Sequence, residues 1–293
     1  MEVEDIVITG SSGFLGQSLV AAAREMFPKA RLLPVASGRH GGIDLTQPDA
    51  ASRMLSQIQL RNPGRSVLIH AAALVEWNTH AALLDNAAMA LNTAEWARQI
   101  GVGFSVLVSS VSVYPRAPIC DNQTPCQPSS FYGAGKLAAE HVWRLVLPAD
   151  RHAIVRLSGI LGWQMHPTLF WNKLLLAAAD LLPHERPIVR RAQSRRNYLT
   201  AREASVCLLR VGTERLSGAH LAAGRDAVDT AELVAALETL RGSKLPIEWQ
   251  DDGIVDEQIF QPSNELLPAL GRFREELALL WSQRPRPGQV VTR

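Results

Sequence analysis

The sequence predicts an α/β protein, a doubly wound parallel sheet with a smaller C-terminal region that binds substrate. Three observations lead there. Ile6 to Ile8 is a short, apolar, β-branched run, the pattern of a strand buried on both faces of a parallel sheet, and it opens directly onto Gly10, Gly13 and Gly16. Short apolar runs recur at Ser66–His70 and Phe104–Val108, with helical stretches between them, and this alternation gives a parallel sheet whose ligands sit at the carboxyl ends of its strands. At those ends stand the small residues Ala71, Ala72 and Ala73 and the hydroxyls Ser109, Ser110 and Ser112.

Taken in order, the first strand and glycine turn lead into a helix over Gln17–Met26. Strand, glycine turn and helix together present backbone N–H groups and a helix N-terminus to a pyrophosphate. Gly10 allows the tight turn, Gly13 the approach of phosphate, and Gly16 the packing of helix on strand. The spacing is GxxGxxG rather than GxGxxG. Arg31–Ser37 reads as the second strand, and Pro34 within it argues for an edge position. No carboxylate follows that strand until Asp44, so the ribose-binding acid of an NAD site is missing there. Arg39, with Ser37 as a helper, would instead meet the 2′-phosphate of NADP.

A helix over Asp49–Leu60, the Ser66–His70 strand and a helix over Ala81–Ile100 carrying Asn86 come next. After the strand ending in the serines, a proline-rich loop leads to Phe131–His141. In a helix there, Tyr132 and Lys136 share a face. A lysine beside a phenol supplies positive charge that favours the phenolate; moving a tyrosine from about 10 to about 7 takes roughly 4 kcal/mol.

The bulk properties narrow the class. The chain has 293 residues, 47% of them hydrophobic, and a net charge of +2, which favours neither nucleic acid nor an anionic membrane as partner. Cys120, Cys126 and Cys207 show no CxxC spacing, so neither a disulfide framework nor a metal site is expected. No basic-then-apolar leader precedes the first strand, and the longest apolar stretch, Leu174–Leu182, is too short to span a bilayer. A soluble, cytoplasmic protein is the expectation.

The ordered set of motifs resembles the extended short-chain dehydrogenase/reductase family, also called the NAD(P)-dependent epimerase/dehydratase family. It comprises Thr9–Gly16, Asp44-Leu45, His70–Ala73, Asn86, Ser109–Tyr114, Tyr132-Gly-Ala-Gly-Lys136 and Val155–Gly162. The resemblance covers about residues 5 to 225 and implies a Rossmann-type domain. It implies Tyr132 as acid/base, Lys136 as its partner and ribose anchor, and Ser110 as hydrogen-bond partner of the substrate carbonyl or carbinol, with Ser112 as runner-up. Gly10, Ser12, Gly13, Phe14, Leu15 and Gly16 would hold the pyrophosphate. Asp44 and Leu45 would flank the adenine, and Ala71–Ala73 and Asn86 would line the dinucleotide. Two departures stand out. Gly159 replaces a frequent Asn on the nicotinamide side, and Val111-Ser112 stands where dehydratases carry Asp-Glu, which disfavours dehydration because elimination needs a separate acid and base.

In the C-terminal third, Thr168–Leu182, Thr230–Leu240 (capped by Asp229 or Thr230) and Leu266–Trp281 read as helices, Gly218–Gly224 as a late strand and turn, and the tail from Pro285 as disordered. Arg190–Tyr198 is a local basic cluster. The family places an arginine against a nucleotide-sugar diphosphate there, which makes Arg196 the candidate. His166 and Cys120 would be the first residues to examine for a second acid/base. The expected division is a dinucleotide-binding domain over 1–160 and a substrate-binding region over 161–293, with part of 200–225 returning to the first. The expected activity is hydride transfer with NADP, or NAD, at a carbonyl or carbinol of a nucleotide sugar or similar small molecule. A nucleotide-sugar epimerase and a non-catalytic NADP-binding sensor or scaffold are the alternatives, and a homodimer is left open.

Overall fold

The computed structural model describes residues 2–76, 79–163, 170–182, 186–250 and 252–285, with the Arg39 side chain left out. The chain opens with β1 (Asp5–Thr9), α1 (Phe14–Met26), β2 (Arg31–Val35), α2 (Ala50–Gln57), β3 (Ser66–His70), α3 (His80–Ile100) and β4 (Phe104–Ser110). A short strand, β5 (Ile119–Cys120), precedes α4 (Phe131–Val146), β6 (His152–Leu157) and β7 (Gly159–Leu161). Next come α5 (Phe170–Ala178), β8 (Ile188–Val189), β9 (Arg195–Thr200), α6 (Ala201–Thr213) and β10 (Gly218–Ala222). The last elements are β11 (Ala227–Asp229), α7 (Thr230–Arg241), β12 (Glu248–Trp249), β13 (Ile259–Phe260) and α8 (Phe273–Ser282).

Six parallel strands form the central sheet in the order β10-β6-β4-β3-β1-β2. β2 is at its edge, where Pro34 has no second neighbour to disappoint with its missing N–H. Successive residues of β1 feed opposite cores. Ile6 and Ile8 pack with Leu19 of α1 and Leu208 of α6, while Val7 packs with Met54 of α2, Ala94 of α3 and Trp143 of α4. Helices therefore cover both faces, and the fold is the doubly wound, Rossmann-type sheet expected from the sequence.

The Val155–Gly162 motif divides at Ser158, where the chain leaves the central sheet. β7 joins a three-stranded sheet with β9 and β11, backed by a separate core of Leu161, Trp163, Leu175, Leu237, Leu277 and Trp281. α6 and β10 then return to the central sheet, β10 beside β6. Asp229 caps α7, accepting from the Glu232 N–H at 2.7 Å while the Glu232 carboxylate accepts from the Asp229 N–H.

The expected single helix over Leu266–Trp281 is a correction. A 3₁₀ turn over Asn264–Ala269 contains Pro268, and α8 starts only after Gly271. The Gly271 N–H donates to the Glu203 carboxylate at 3.0 Å, so it is spent outside any helix. Among the described residues no helix is long and apolar enough to cross a membrane. The tail 286–293 lies outside the described residues.

Candidate active site

The glycine turn is built by close backbone approach. Gly10 has φ +69°, and a Cβ there would stand 2.6 Å from the Ala72 backbone at the end of β3. On Gly16 a Cβ would stand 2.0 Å from the Gly10 carbonyl oxygen. Gly13 is exposed and caps α1 without a side-chain hydrogen bond, and no acidic residue occupies the first turn of that helix. The opening N–H groups and the positive end of the helix dipole are left for an anion, so these residues fit a dinucleotide pyrophosphate. Ser12 receives the Gln17 side-chain amide on its carbonyl at 2.9 Å. The Phe14 ring lies against Gly162 and Leu15 packs on the core, so neither side chain is turned to the mouth of the cradle.

Beyond β2, Gly38–His40 forms a 3₁₀ turn carrying Arg39, and Ser37 forms a bridge with Ile43. The first carboxylate after the strand, Asp44, is bonded within its own turn. It accepts from the Thr46 N–H (3.0 Å), the Thr46 hydroxyl (2.7 Å) and the Gln47 amide (3.2 Å), and these bonds, Thr46 foremost, hold its carboxyl below the usual range. Two candidates are tied into the protein itself. Leu45 is buried in the core with its carbonyl taken by Asn92, and Asn86 is buried and spends its amide on structure. The Asn86 carbonyl accepts from the Leu74 N–H, and its NH₂ donates to the Leu74 and Ala82 carbonyls at 2.9 and 2.6 Å. Asn86 thus pins the chain that continues from Ala71–Ala73.

The chemistry-bearing residues converge at the carboxyl end of β4. The Ser110 hydroxyl hydrogen-bonds the Tyr132 phenol, and it also accepts from the Ser112 N–H and donates to the Ser112 hydroxyl, each at 3.1 Å. Ser130 caps α4 by accepting from the Gly133 N–H at 3.0 Å, which sets the helix start just ahead of Tyr132. The glycines of Tyr132-Gly-Ala-Gly-Lys136 bring α4 close. A Cβ on Gly133 would meet the Ser112 carbonyl at 2.2 Å, and one on Gly135 the Ala82 carbonyl of α3 at 2.4 Å. Burial pushes the Tyr132 phenol up, and the Ser110 hydrogen bond opposes that. Lys136 is 3% exposed; burial pushes its ammonium down to about 8, with Glu140 opposing. His70 packs on Trp143 with ring centroids 5.5 Å apart, and its Nδ1 lies 2.8 Å from the Thr9 hydroxyl. Burial, then the Lys136 charge, lowers His70 to about 3, so it is a neutral neighbour of the lysine.

Other candidates lie elsewhere. Arg196 is on β9 in the second sheet and pairs with Asp256 at 2.8 Å, donating also to the Asp256 and Arg195 carbonyls. Asn197, next to it, bonds the Phe260 N–H and the Gly224 carbonyl, a structural duty. Cys120 is buried in a satellite core, and burial raises its thiol. His166 lies outside the described residues. The residues not foreseen are Glu140 and Arg156, a buried pair beneath the site; the spacing of Glu140 one turn after Lys136 is the signal that could have found the first.

Comparisons with known proteins identify the family and the fold. The model of the NAD dependent epimerase/dehydratase family matches residues 6–224. No curated protein matches the sequence. Among solved structures, dTDP-4-dehydrorhamnose reductase from Bacillus anthracis str. Ames in complex with NADP is 19% identical with a TM-score of 0.78, covering 96% of this chain and 100% of that one. UDP-N-acetylglucosamine 4-epimerase from Bacillus cereus is 16% identical with a TM-score of 0.78, covering 99% and 100%. MoeE5 in complex with UDP-glucose and NAD is 22% identical with a TM-score of 0.75, covering 95% and 97%. At these identities the likeness is one of fold.

Proposed function

The chain belongs to the NAD-dependent epimerase/dehydratase family, and from that premise we propose that it is an NADP-preferring oxidoreductase acting on a carbonyl or carbinol of a nucleotide sugar. The observation that carries this reading is Ser110, Tyr132 and Lys136 gathered at one strand end, in the same sheet as the glycine cradle. A bound dinucleotide supplies or takes the hydride. Gly10, Gly13 and Gly16 would seat its pyrophosphate, and Lys136 its ribose.

The chain's own part is positioning and the proton. The Ser110 hydroxyl orients the substrate oxygen beside the Tyr132 hydroxyl. A phenol raised by burial is fully protonated at neutral pH, which suits a donor to the oxygen of a carbonyl being reduced. Oxidation would need the phenolate, which the buried setting disfavours. A reductase is preferred to an epimerase because the Ser37–Arg39 loop suits NADPH.

The cofactor preference rests on the loop after β2, where Asp44 bonds within its own turn and Arg39 is the first cationic residue in the sequence after the strand. Arg39→Ala is expected to weaken NADPH by about 1–3 kcal/mol and barely change NADH, as read by fluorescence titration of both. Equal loss for both, or tighter wild-type binding of NADH, would reverse the preference.

The substrate class rests on Arg196, whose planar fork suits phosphate oxygens and which the Asp256 carboxylate holds in place. The test is NADPH consumption with UDP- and dTDP-linked keto-sugars, for the wild type and for Arg196→Leu. Turnover is expected for the wild type, with a raised KM in the variant for the nucleotide sugar far more than for the free sugar. Interconversion of sugar epimers without net NADPH consumption would replace reductase by epimerase. Absence of both, with the cofactor bound, would leave the sensor reading.

A further inference from the structure

Glu140 is a fully buried carboxylate that the chemistry described so far does not use. It lies one helical turn beyond Lys136 on α4, and each of its oxygens has two donors. Oε1 accepts from the Ser109 hydroxyl at 2.6 Å and Arg156 Nε at 3.0 Å. Oε2 accepts from Arg156 Nη2 at 2.8 Å and Arg144 Nη2 at 3.1 Å. These partners come from three elements. Ser109 precedes Ser110 on β4, Arg156 belongs to β6, and Arg144 lies one turn further along α4. Arg156 is itself fixed, donating to the Tyr114 hydroxyl at 2.9 Å with its guanidinium over that ring.

We propose that Glu140 is a positioning residue for the proton-transfer group: it clamps the helix carrying Tyr132 and Lys136 to the strand carrying Ser110, and it supplies the counter-charge for the buried Lys136 ammonium. The proposal deepens the oxidoreductase reading and rests on it for its effect on turnover. The geometry gives both halves. Because one carboxylate grips Ser109 and Arg156 together, sliding α4 along the sheet breaks charge-assisted bonds on β4 and β6 at once. The bond between Ser110 and Tyr132 inherits that register.

The charge half follows from what surrounds the lysine. The ionisable groups whose charge couples to Lys136 are His70 from β3, which is neutral, and Glu140 from its own helix. Around Glu140 stand Arg156, Arg144, Tyr114 and Cys126, and the arginines hold its carboxyl below the usual range against burial. Glu140 is thus an anion wherever the protein is folded and neutral in pH, and it counters the burial that would strip Lys136 of its proton.

The test reads Lys136 directly. The chain has lysines only at positions 29, 136, 173 and 244, so in protein labelled with ¹³C-lysine the Lys136 side-chain signal is assignable by comparison with Lys136→Arg. In the wild type the signal should titrate near 8. In Glu140→Gln, which keeps the shape and the Ser109 contact, the midpoint should fall by about one unit, the scale of a neighbouring charge. The alkaline limb of kcat/KM should move down with it. Ser109→Ala, which cuts the link to β4 but keeps the charge, should lower kcat about tenfold or more with the Lys136 midpoint unmoved. Should Glu140→Gln not fold, Glu140→Leu with Arg156→Met removes the buried pair together and is read the same way. An unmoved Lys136 midpoint in a folded Glu140 variant overturns the counter-charge, and wild-type kcat in Ser109→Ala overturns the clamp. A shifted midpoint in a protein that turns over no nucleotide sugar would count against the proposed activity and leave this inference standing.

Discussion

Tyr132→Phe is expected to lower kcat by about 10²–10⁴-fold, the usual worth of one general acid, while affinity for NADPH stays within a factor of about two. The ring remains, so packing at the start of α4 is kept and only the hydroxyl is lost. That hydroxyl is the partner of Ser110 and carries its proton at neutral pH. Stopped-flow turnover beside NADPH titration separates the two terms. A loss shared equally between kcat and cofactor affinity would place the phenol in binding. Turnover near the wild type would move the proton donor to another residue.

Gly16→Ala is the second large effect, on stability and cofactor together. Alanine ordinarily favours a helix interior over glycine by about 1 kcal/mol. Here the added methyl would lie 2.0 Å from the Gly10 carbonyl oxygen and 2.7 Å from Ser11 Cα, both backbone atoms that cannot swing aside. Sterics decide the sign. Overpacking of this kind costs about 1–3 kcal/mol, a fall in Tm of roughly 2–5 °C for a chain of this size. The relief would come from pushing α1 off β1, which opens the cradle, so NADPH affinity should fall at least about tenfold. Gly64→Ala is the control, since the atom nearest to the added methyl would be the Asn62 side-chain oxygen at 3.6 Å. Calorimetry and cofactor titration on both variants check this; Gly16→Ala with the wild-type Tm and affinity would contradict it.

The sheet was legible because its causes are local. Ile6, Val7 and Ile8 announce a strand buried on both faces, Pro34 announces an edge, and Asp229 or Thr230 announces a helix start, of which Asp229 is the cap. The break at Gly271 was not legible, for a physical reason. Leu266 and Leu270 serve the core under the central sheet, whereas Leu277, Leu280 and Trp281 serve the core of the second region. One run of apolar residues with helical spacing is divided between two cores, and its spacing carries no trace of the division. In the site, Tyr132 and Lys136 were visible as a pair one turn apart. The partners of Asn86 and Arg196 were not, since Leu74 and Asp256 reach them through the tertiary fold. The same holds for Ser109 and Arg156, which meet Glu140 from two different strands.

The contact of Gly10 with Ala72 also bears on the order in which the chain acquires its parts. The cradle looks like a local motif, strand then turn then helix, yet its floor is supplied by the end of β3. Closing it requires the intervening β2 and α2 to be spanned first, a loop-closure cost that falls before any reward. A fragment ending after α1 would carry every glycine of the motif and lack the surface that shapes it. Refolding intermediates without β3 would likewise have no cradle to offer. A ligand that binds only the finished cradle acts on the folded side of the barrier, so dinucleotide should slow unfolding far more than it speeds folding.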